Sequence, residues 1–275
     1  MKGPEVAACR PWENLMRSSV NMGDTSETLT DAAWDEYQRR WHQGTYRATF
    51  FRDMVLSELR RRGPNVVLLD VGCGHRFDGE PGLQDSLAKS ADQYLGIEPD
   101  ASVPVADCFT RVHRCTLEEA PITAASIDVA FAVFVIEHLS HPAAFFERLF
   151  EILVPGGVFW GFTIDSRHYF ALVSRISEVL GVKGWWLKRV GVAESFRCGN
   201  HYRTFYRANT PRTLRRCAMQ FRSVRLMNLH QTGQLDAYLP RWAHSASHGL
   251  DWIWAALGFP GPMLVVRLEK EARRE

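Results

Sequence analysis

Apolar positions along the chain follow two different periods. From Asp31 to Arg62 they recur every three or four residues, through Trp34, Tyr37 and Trp41 and then Phe51, Val55 and Leu59, which predicts two helices broken near Gly44. After Gly63-Pro64 the run Val66 to Leu69 is apolar without alternation, the mark of a parallel strand buried on both faces. Further strands are predicted at 94–97, 109–113, 127–131, 158–164, 223–228 and 263–270. Helices are predicted over 143–153, 169–180 and from Pro211, where Thr210-Pro211 is a start signal. Such alternation implies an α/β domain with a mostly parallel sheet. Residues 1 to about 30 are polar and mixed, the composition of a frayed terminus.

The first strand leads into the most informative stretch, VVLLDVGCGHR. Asp70 closes the strand, and Gly72 and Gly74 flank Cys73 at a spacing that lets the backbone turn tightly and leaves amides free to face a ligand. A dinucleotide site prefers a third glycine for close helix packing, and that position is Phe77 here. The stretch resembles motif I of the class I S-adenosylmethionine-dependent methyltransferases, with Arg76 standing where the family has its last glycine. Three further segments match in order: QYLGIEPD ending in Glu98, SIDVAFAVFVIEHLSHP with its Glu137-His138 pair, and ILVPGGVFWGFT. Together the resemblance covers roughly residues 60 to 165.

The resemblance implies a seven-stranded, doubly wound Rossmann-like sheet and S-adenosyl-L-methionine as cofactor, converted to S-adenosyl-L-homocysteine. It implies a glycine loop of Asp70, Gly72, Cys73 and Gly74, and a ribose contact at Glu98 beside Pro99, because a carboxylate can accept from both hydroxyls. It assigns adenine contacts to Thr116 and Leu117, where a hydroxyl replaces the family's usual acid, and the sulfonium side to Ala132 and Val133, with Phe134 following. His138 falls where the family often keeps a histidine beside the cofactor, so it is a candidate base, as is His201. Amino-terminal helices of this family often fold over the pocket, which makes Tyr37 and Trp41 candidate substrate contacts, with Tyr46 near them; Tyr202 and Tyr206 are candidates from the loop after the fifth strand. For each, a bland alternative stands beside the functional one: aromatic residues packing a helix onto the core, or a histidine bonded at a helix start.

The implied organisation is a helical lid over 1–62, a cofactor-binding core over 63–165, a helical insertion over 166–200 and the rest of the core over 201–275, in which 230–260 forms a cap. Trp185 and Trp186 in the insertion could stack on a flat substrate, anchor at a membrane surface or pack on the core, the last being the expectation. The cap would form a second wall of the pocket or a dimer contact.

Composition narrows the class of partner. Thirty-three basic and thirty-one acidic residues give a net charge of +2, without the basic excess of a nucleic-acid binder. The six cysteines lack C-x-x-C spacing, so neither a zinc site nor a disulfide framework is expected, and no metal is called for. The first residues lack an apolar leader, and no apolar run reaches the roughly 20 residues of a membrane helix, so a cytoplasmic monomer or homodimer acting on a small molecule is expected. The expected reaction is methyl transfer to an oxygen, nitrogen or carbon of that molecule, a specialised metabolite by preference. A membrane-associated quinone or lipid methyltransferase, an NAD-dependent oxidoreductase and a non-catalytic nucleotide-binding module remain as alternatives.

Overall fold

The computed structural model describes residues 31–272 except 76, 78, 79, 81, 182–184 and 186–201, so His201 and Trp186 lie outside the described residues. Strands run β1 (Val67–Val71), β2 (Gln93–Ile97), β3 (Arg111–His113), β4 (Ile127–Val133), β5 (Leu153–Ile164), β6 (Ser223–Leu229) and β7 (Met263–Glu269). They form one seven-stranded sheet in the order β3-β2-β1-β4-β5-β7-β6. Its inner pairings are parallel, Leu68 lying opposite both Tyr94 and Val129, whereas β7 is antiparallel to β5 and to β6. That closing antiparallel pair is what the resemblance to the methyltransferase family implies.

Buried apolar residues form one core on each face of the sheet. Helices α1 (Asp31–His42), α2 (Arg47–Arg62) and α3 (Leu83–Ala88) cover one, where Tyr37, Phe51, Val55 and Leu87 meet Leu68, Phe131, Trp160 and Val265. The other holds Phe145, Phe146 and Leu149 of α4 (Pro142–Ile152) and, after α5 (Tyr169–Val179), Leu214 of α6 (Pro211–Cys217), against Leu69, Ala130, Phe159 and Val266. Neighbouring strand residues face opposite sides, so the mainly apolar, non-alternating sequences of β1, β4 and β7 are what two covered faces require. Helix α6 opens on a capping box between Thr210 and Thr213, as the Thr-Pro signal predicts. Helix α7 (His244–Ala256) lies in the excursion between β6 and β7.

Three strand boundaries differ from expectation by more than one residue, and β3 is one of them, starting at Arg111 instead of 109. β5 begins at Leu153 because Leu153 already pairs with Ile127 before the Pro155-Gly156-Gly157 stretch bulges and the ladder resumes at Val129 and Val158. β4 runs on to Val133, since Ala132 and Val133 pair with Gly161 and Phe162.

Candidate functional site

The carboxyl ends of β1, β2 and β4 meet at one edge of the sheet, and the glycine loop lies between them. Gly72 follows β1, donates its N–H to the Ile97 carbonyl at 2.8 Å and has φ +81°, and a Cβ there would fall 2.4 Å from Val135 Cγ2. Only glycine meets both demands without strain. At Gly74 a Cβ would fall 2.6 Å from Glu98 Oε2, the same oxygen that accepts the Gly74 N–H at 3.1 Å.

Glu98, at the tip of β2, is 5% exposed, and its other oxygen accepts the Asp100 N–H at 3.0 Å. Backbone amides thus fix both oxygens while leaving further acceptor positions on each. A buried carboxylate held against a loop that has no room for side chains fits the ribose hydroxyls of a nucleoside. Pro99 is exposed at the rim.

Asp70 turns inward instead. Its Oδ2 accepts from Gln84 Nε2 and from the Tyr94 hydroxyl, each at 2.9 Å, and Gln84 also donates to the Cys73 carbonyl at 3.0 Å. Asp70 therefore ties α3 to the glycine loop, and burial pushes its carboxyl up to about 7 despite those two donors. Cys73 is buried, and burial raises its thiol well above the ordinary range, so this cysteine packs rather than reacts. The Thr116 hydroxyl donates to Glu119 Oε2 at 3.1 Å in an exposed turn, and Leu117 is buried beneath it.

At the end of β4 the side chains diverge. Ala132 is wholly buried in the core beneath α4, and Val133 packs half-buried on the opposite face. The strand's tip is Phe134, at φ +55°, with its N–H held by the Phe162 carbonyl at 2.8 Å. Tyr206 is also left-handed, at φ +50°; such backbone costs of order 1 to 3 kcal/mol and persists where its surroundings dictate it.

A short turn, Ile136–His138, follows β4. Glu137 is buried, accepts the Thr163 hydroxyl at 2.7 Å, and is pushed up by burial although His138 pulls the other way. Asn209 donates to Thr163 Oγ1 at 2.7 Å and to the Ile164 carbonyl at 3.0 Å, joining this turn to β5. The Glu137 carbonyl receives the Phe205 and Tyr206 N–H groups. The segment 202–206 is thereby strapped across the edge: Tyr202 donates to Asp100 Oδ2 at 2.8 Å, and its ring lies 5.9 Å from that of His138. His138 Nδ1 is 2.9 Å from the Arg203 carbonyl. A carbonyl only accepts, so Nδ1 carries the proton and a neutral ring keeps its lone pair on Nε2.

Hence Gly72, Gly74, Glu98, Phe134, His138 and Tyr202 gather at one edge. Tyr37 and Trp41 do not join them: both are buried against Phe50, and the Trp41 indole N–H donates to the His230 carbonyl at 2.6 Å. Tyr46 is half exposed, and Tyr206 is buried with its hydroxyl pushed up to about 12 by burial. Trp185 is 65% exposed, contrary to the expectation that it packs on the core. Sequence reading missed Gln84, Asp100, Thr163 and Asn209, whose roles arise from contacts across the fold and carry no local signal. Among the described residues no cluster of three metal-ligating side chains occurs, and no helix is long and apolar enough to cross a membrane.

Residues 37–221 match a family described as Methyltransferase domain. The mitochondrial ubiquinone biosynthesis O-methyltransferase of Mus musculus is 28% identical over 197 residues, covering 62% of this chain and 50% of that protein. The ubiquinone biosynthesis O-methyltransferase of Parvibaculum lavamentivorans is 35% identical over 194 residues, covering 64% of this chain and 75% of that protein. The chain thus spans about half the length of the mammalian relatives it matches. A solved S-adenosylmethionine-dependent methyltransferase from Archaeoglobus fulgidus shares the fold, with TM-score 0.50 at 13% identity over 80% of this chain and 94% of that one.

Proposed function

The chain belongs to the class I S-adenosylmethionine-dependent methyltransferases, and from that premise we propose that it methylates an oxygen of a small hydroxylated molecule. The observation that carries this reading is the Glu98 carboxylate, buried at the tip of β2 and bonded to the Gly74 amide. Oxygen is favoured over nitrogen or carbon because the relatives named above are O-methyltransferases, and the same names weigh against a specialised metabolite as acceptor. A sheet that closes with an antiparallel β7 is unlike that of the dinucleotide-binding oxidoreductases.

S-adenosylmethionine, when bound, supplies an electrophilic methyl group: the acceptor oxygen bonds to that carbon as the carbon–sulfur bond breaks, leaving S-adenosylhomocysteine and one proton. The protein's part is alignment and exclusion of water, which methyl transfer rewards because charge is neutralised as the bond forms. In this reading Glu98 would hold the ribose, the Gly72–Gly74 backbone would contact the nucleoside, and Val133 and Phe134 offer apolar surface. His138 takes the acceptor proton at Nε2, its ring set by the Arg203 carbonyl. His201 is the second candidate for that role. Titration calorimetry with S-adenosylhomocysteine and with NAD tests the assignment: heat with the first alone is expected, and no binding of it would overturn the reading.

Two substitutions follow. His138→Ala is expected to lower kcat by about 100-fold or more with S-adenosylhomocysteine affinity unchanged; an unaltered rate removes His138 from proton transfer. Tyr202→Phe deletes the hydroxyl that reaches Asp100. Stopped-flow dissociation of S-adenosylhomocysteine should then quicken roughly fivefold, the equivalent of one hydrogen bond of about 1 kcal/mol, and an unchanged off-rate would mean that the strap does not close over the nucleoside.

A further inference from the structure

Glu98 owes its orientation to the turn that follows it. From Pro99 to Pro104 the chain leaves β2 without forming a helix or strand, and proline at each end removes a backbone donor. The Val103 N–H closes the turn on the Asp100 carbonyl at 3.2 Å. Further bonds converge on Asp100. Its N–H donates to Glu98 Oε1 at 3.0 Å, its Oδ1 accepts the Ser102 N–H at 2.9 Å and hydroxyl at 2.6 Å, and its Oδ2 accepts the Tyr202 hydroxyl at 2.8 Å. Where Asp100 sits therefore decides where one Glu98 oxygen points and where the strap docks.

Arg114, the first residue after β3, ties that turn to the sheet. His113 pairs with Ile97, and its carbonyl accepts the Glu98 N–H at 3.0 Å, so the end of β3 lies beside the site. From there Arg114 Nη1 donates to the Asp100 carbonyl at 3.0 Å and to the Val103 carbonyl at 2.9 Å, bridging both ends of the turn. A guanidinium stays charged at any working pH, and a charged donor makes the stronger hydrogen bond. The apolar end of the turn is seated separately: Val103 is 1% exposed, and a Cβ on Gly74 would fall 2.4 Å from its Cγ1. Loss of Arg114 would free the turn at Asp100 while Val103 stays packed. Arg114 is itself exposed, so its truncation opens no cavity in the core.

We propose that Arg114 is a positioning residue of the nucleoside site, acting through Asp100 to fix the Glu98 carboxylate in the orientation that receives the ribose. The proposal rests on the methyltransferase reading, because it concerns how Glu98 meets that ligand. It differs from a general stabilising role in one respect: the effect on the ligand passes through Glu98 and disappears with it.

S-adenosylhomocysteine binding is measured by calorimetry on the wild type, Arg114→Ala, Arg114→Lys, Glu98→Ala and the variant carrying both alanines. Arg114→Ala is expected to raise Kd about five- to tenfold, the size of hydrogen bonds lost from a charged donor. On the Glu98→Ala background the same change should move Kd by about twofold at most, because residues that act through one another are not additive. Arg114→Lys keeps a charged donor without the rigid fork and should recover part of the affinity. A second measurement needs no ligand: amide exchange followed by NMR should quicken at Asp100, whose N–H Glu98 accepts, in Arg114→Ala and be partly restored in Arg114→Lys. A wild type that bound no S-adenosylhomocysteine would overturn the methyltransferase reading and this proposal with it. With wild-type binding intact, an unchanged Kd in Arg114→Ala, a loss that adds in full to that of Glu98→Ala, or unaltered exchange at Asp100 would overturn the proposal alone.

Discussion

Glu98→Ala is expected to weaken S-adenosylhomocysteine binding by about 1.5 to 3 kcal/mol, the usual size for lost hydrogen bonds to a charged group, or roughly ten- to 150-fold in Kd. The geometry gives two reasons for a loss this large. The carboxylate is the acceptor that the ribose hydroxyls would use, and it also fixes the loop around them through the Gly74 and Asp100 amides. Removing it leaves two backbone donors searching for water, so the ligand-free protein should lose thermal stability as well. Glu98→Gln keeps the shape and one acceptor oxygen but no charge, and should fall between wild type and Glu98→Ala. Calorimetry on the three proteins decides the matter. Equal affinity in all of them would take Glu98 out of the site, whatever happened to the melting temperature.

The position of Glu98 at the tip of β2, beside the glycine loop, was legible in the sequence because its evidence is local. A strand, a paired glycine turn and an acid at the tip of the next strand occupy short windows, and parallel pairing of β1 with β2 then brings Val71 opposite Ile97, next to Glu98. The same holds for Gly72 and Gly74, where conformational freedom and close approach leave one residue type. Tyr202 was legible only as a candidate. Its partner Asp100 lies 102 residues earlier, and no periodicity reports a contact made by a strap that crosses the sheet's edge. Tyr37 and Trp41 show the opposite case: their helical spacing was read, but spacing alone does not tell a lid from a core, and Phe50, Phe51 and Trp160 claim that face. The start of β5 was missed because Pro155-Gly156-Gly157 reads as a turn, although the chain merely bulges there and keeps its place beside β4. Exposure of Trp185, and of Leu250, Ile253 and Leu257 on α7, runs against the rule that large apolar residues are covered, and spacing along the sequence does not report it.

The largest loss of stability is expected from Arg267→Leu, in the middle of β7. MLVVRLE reads as a buried strand with a charge in it, and a buried guanidinium persists only if its charge and donors are met. Here Nε donates to Glu58 Oε2 at 3.1 Å, Nη1 donates to Glu269 Oε2 at 2.8 Å, and the group lies over the Trp160 ring. Arg267, Glu58 and Glu269 are all almost wholly buried. Removing the cation takes the ion-pair partner from buried Glu269 and the most buried of three arginines from Glu58, for about 3 to 5 kcal/mol. The pH dependence identifies the cause. Burial alone would raise Glu58, but Arg267, Arg61 and Arg62 outweigh it and hold its carboxyl below the ordinary 4.5. In the wild type this contribution is therefore complete above about pH 4.5 and fades as the pH falls through the depressed value. In the variant the largest counter-charge is gone, so burial pushes the Glu58 carboxyl up from its wild-type position although Arg61 and Arg62 remain, and the variant gains relative stability on acidification. Urea unfolding at pH 7 and near pH 5 should thus show a deficit that shrinks at the lower pH. Arg267→Lys, which keeps the charge but not the forked donors, should recover part of the loss at pH 7. A deficit independent of pH would trace the damage to packing around Trp160 instead of to the charges.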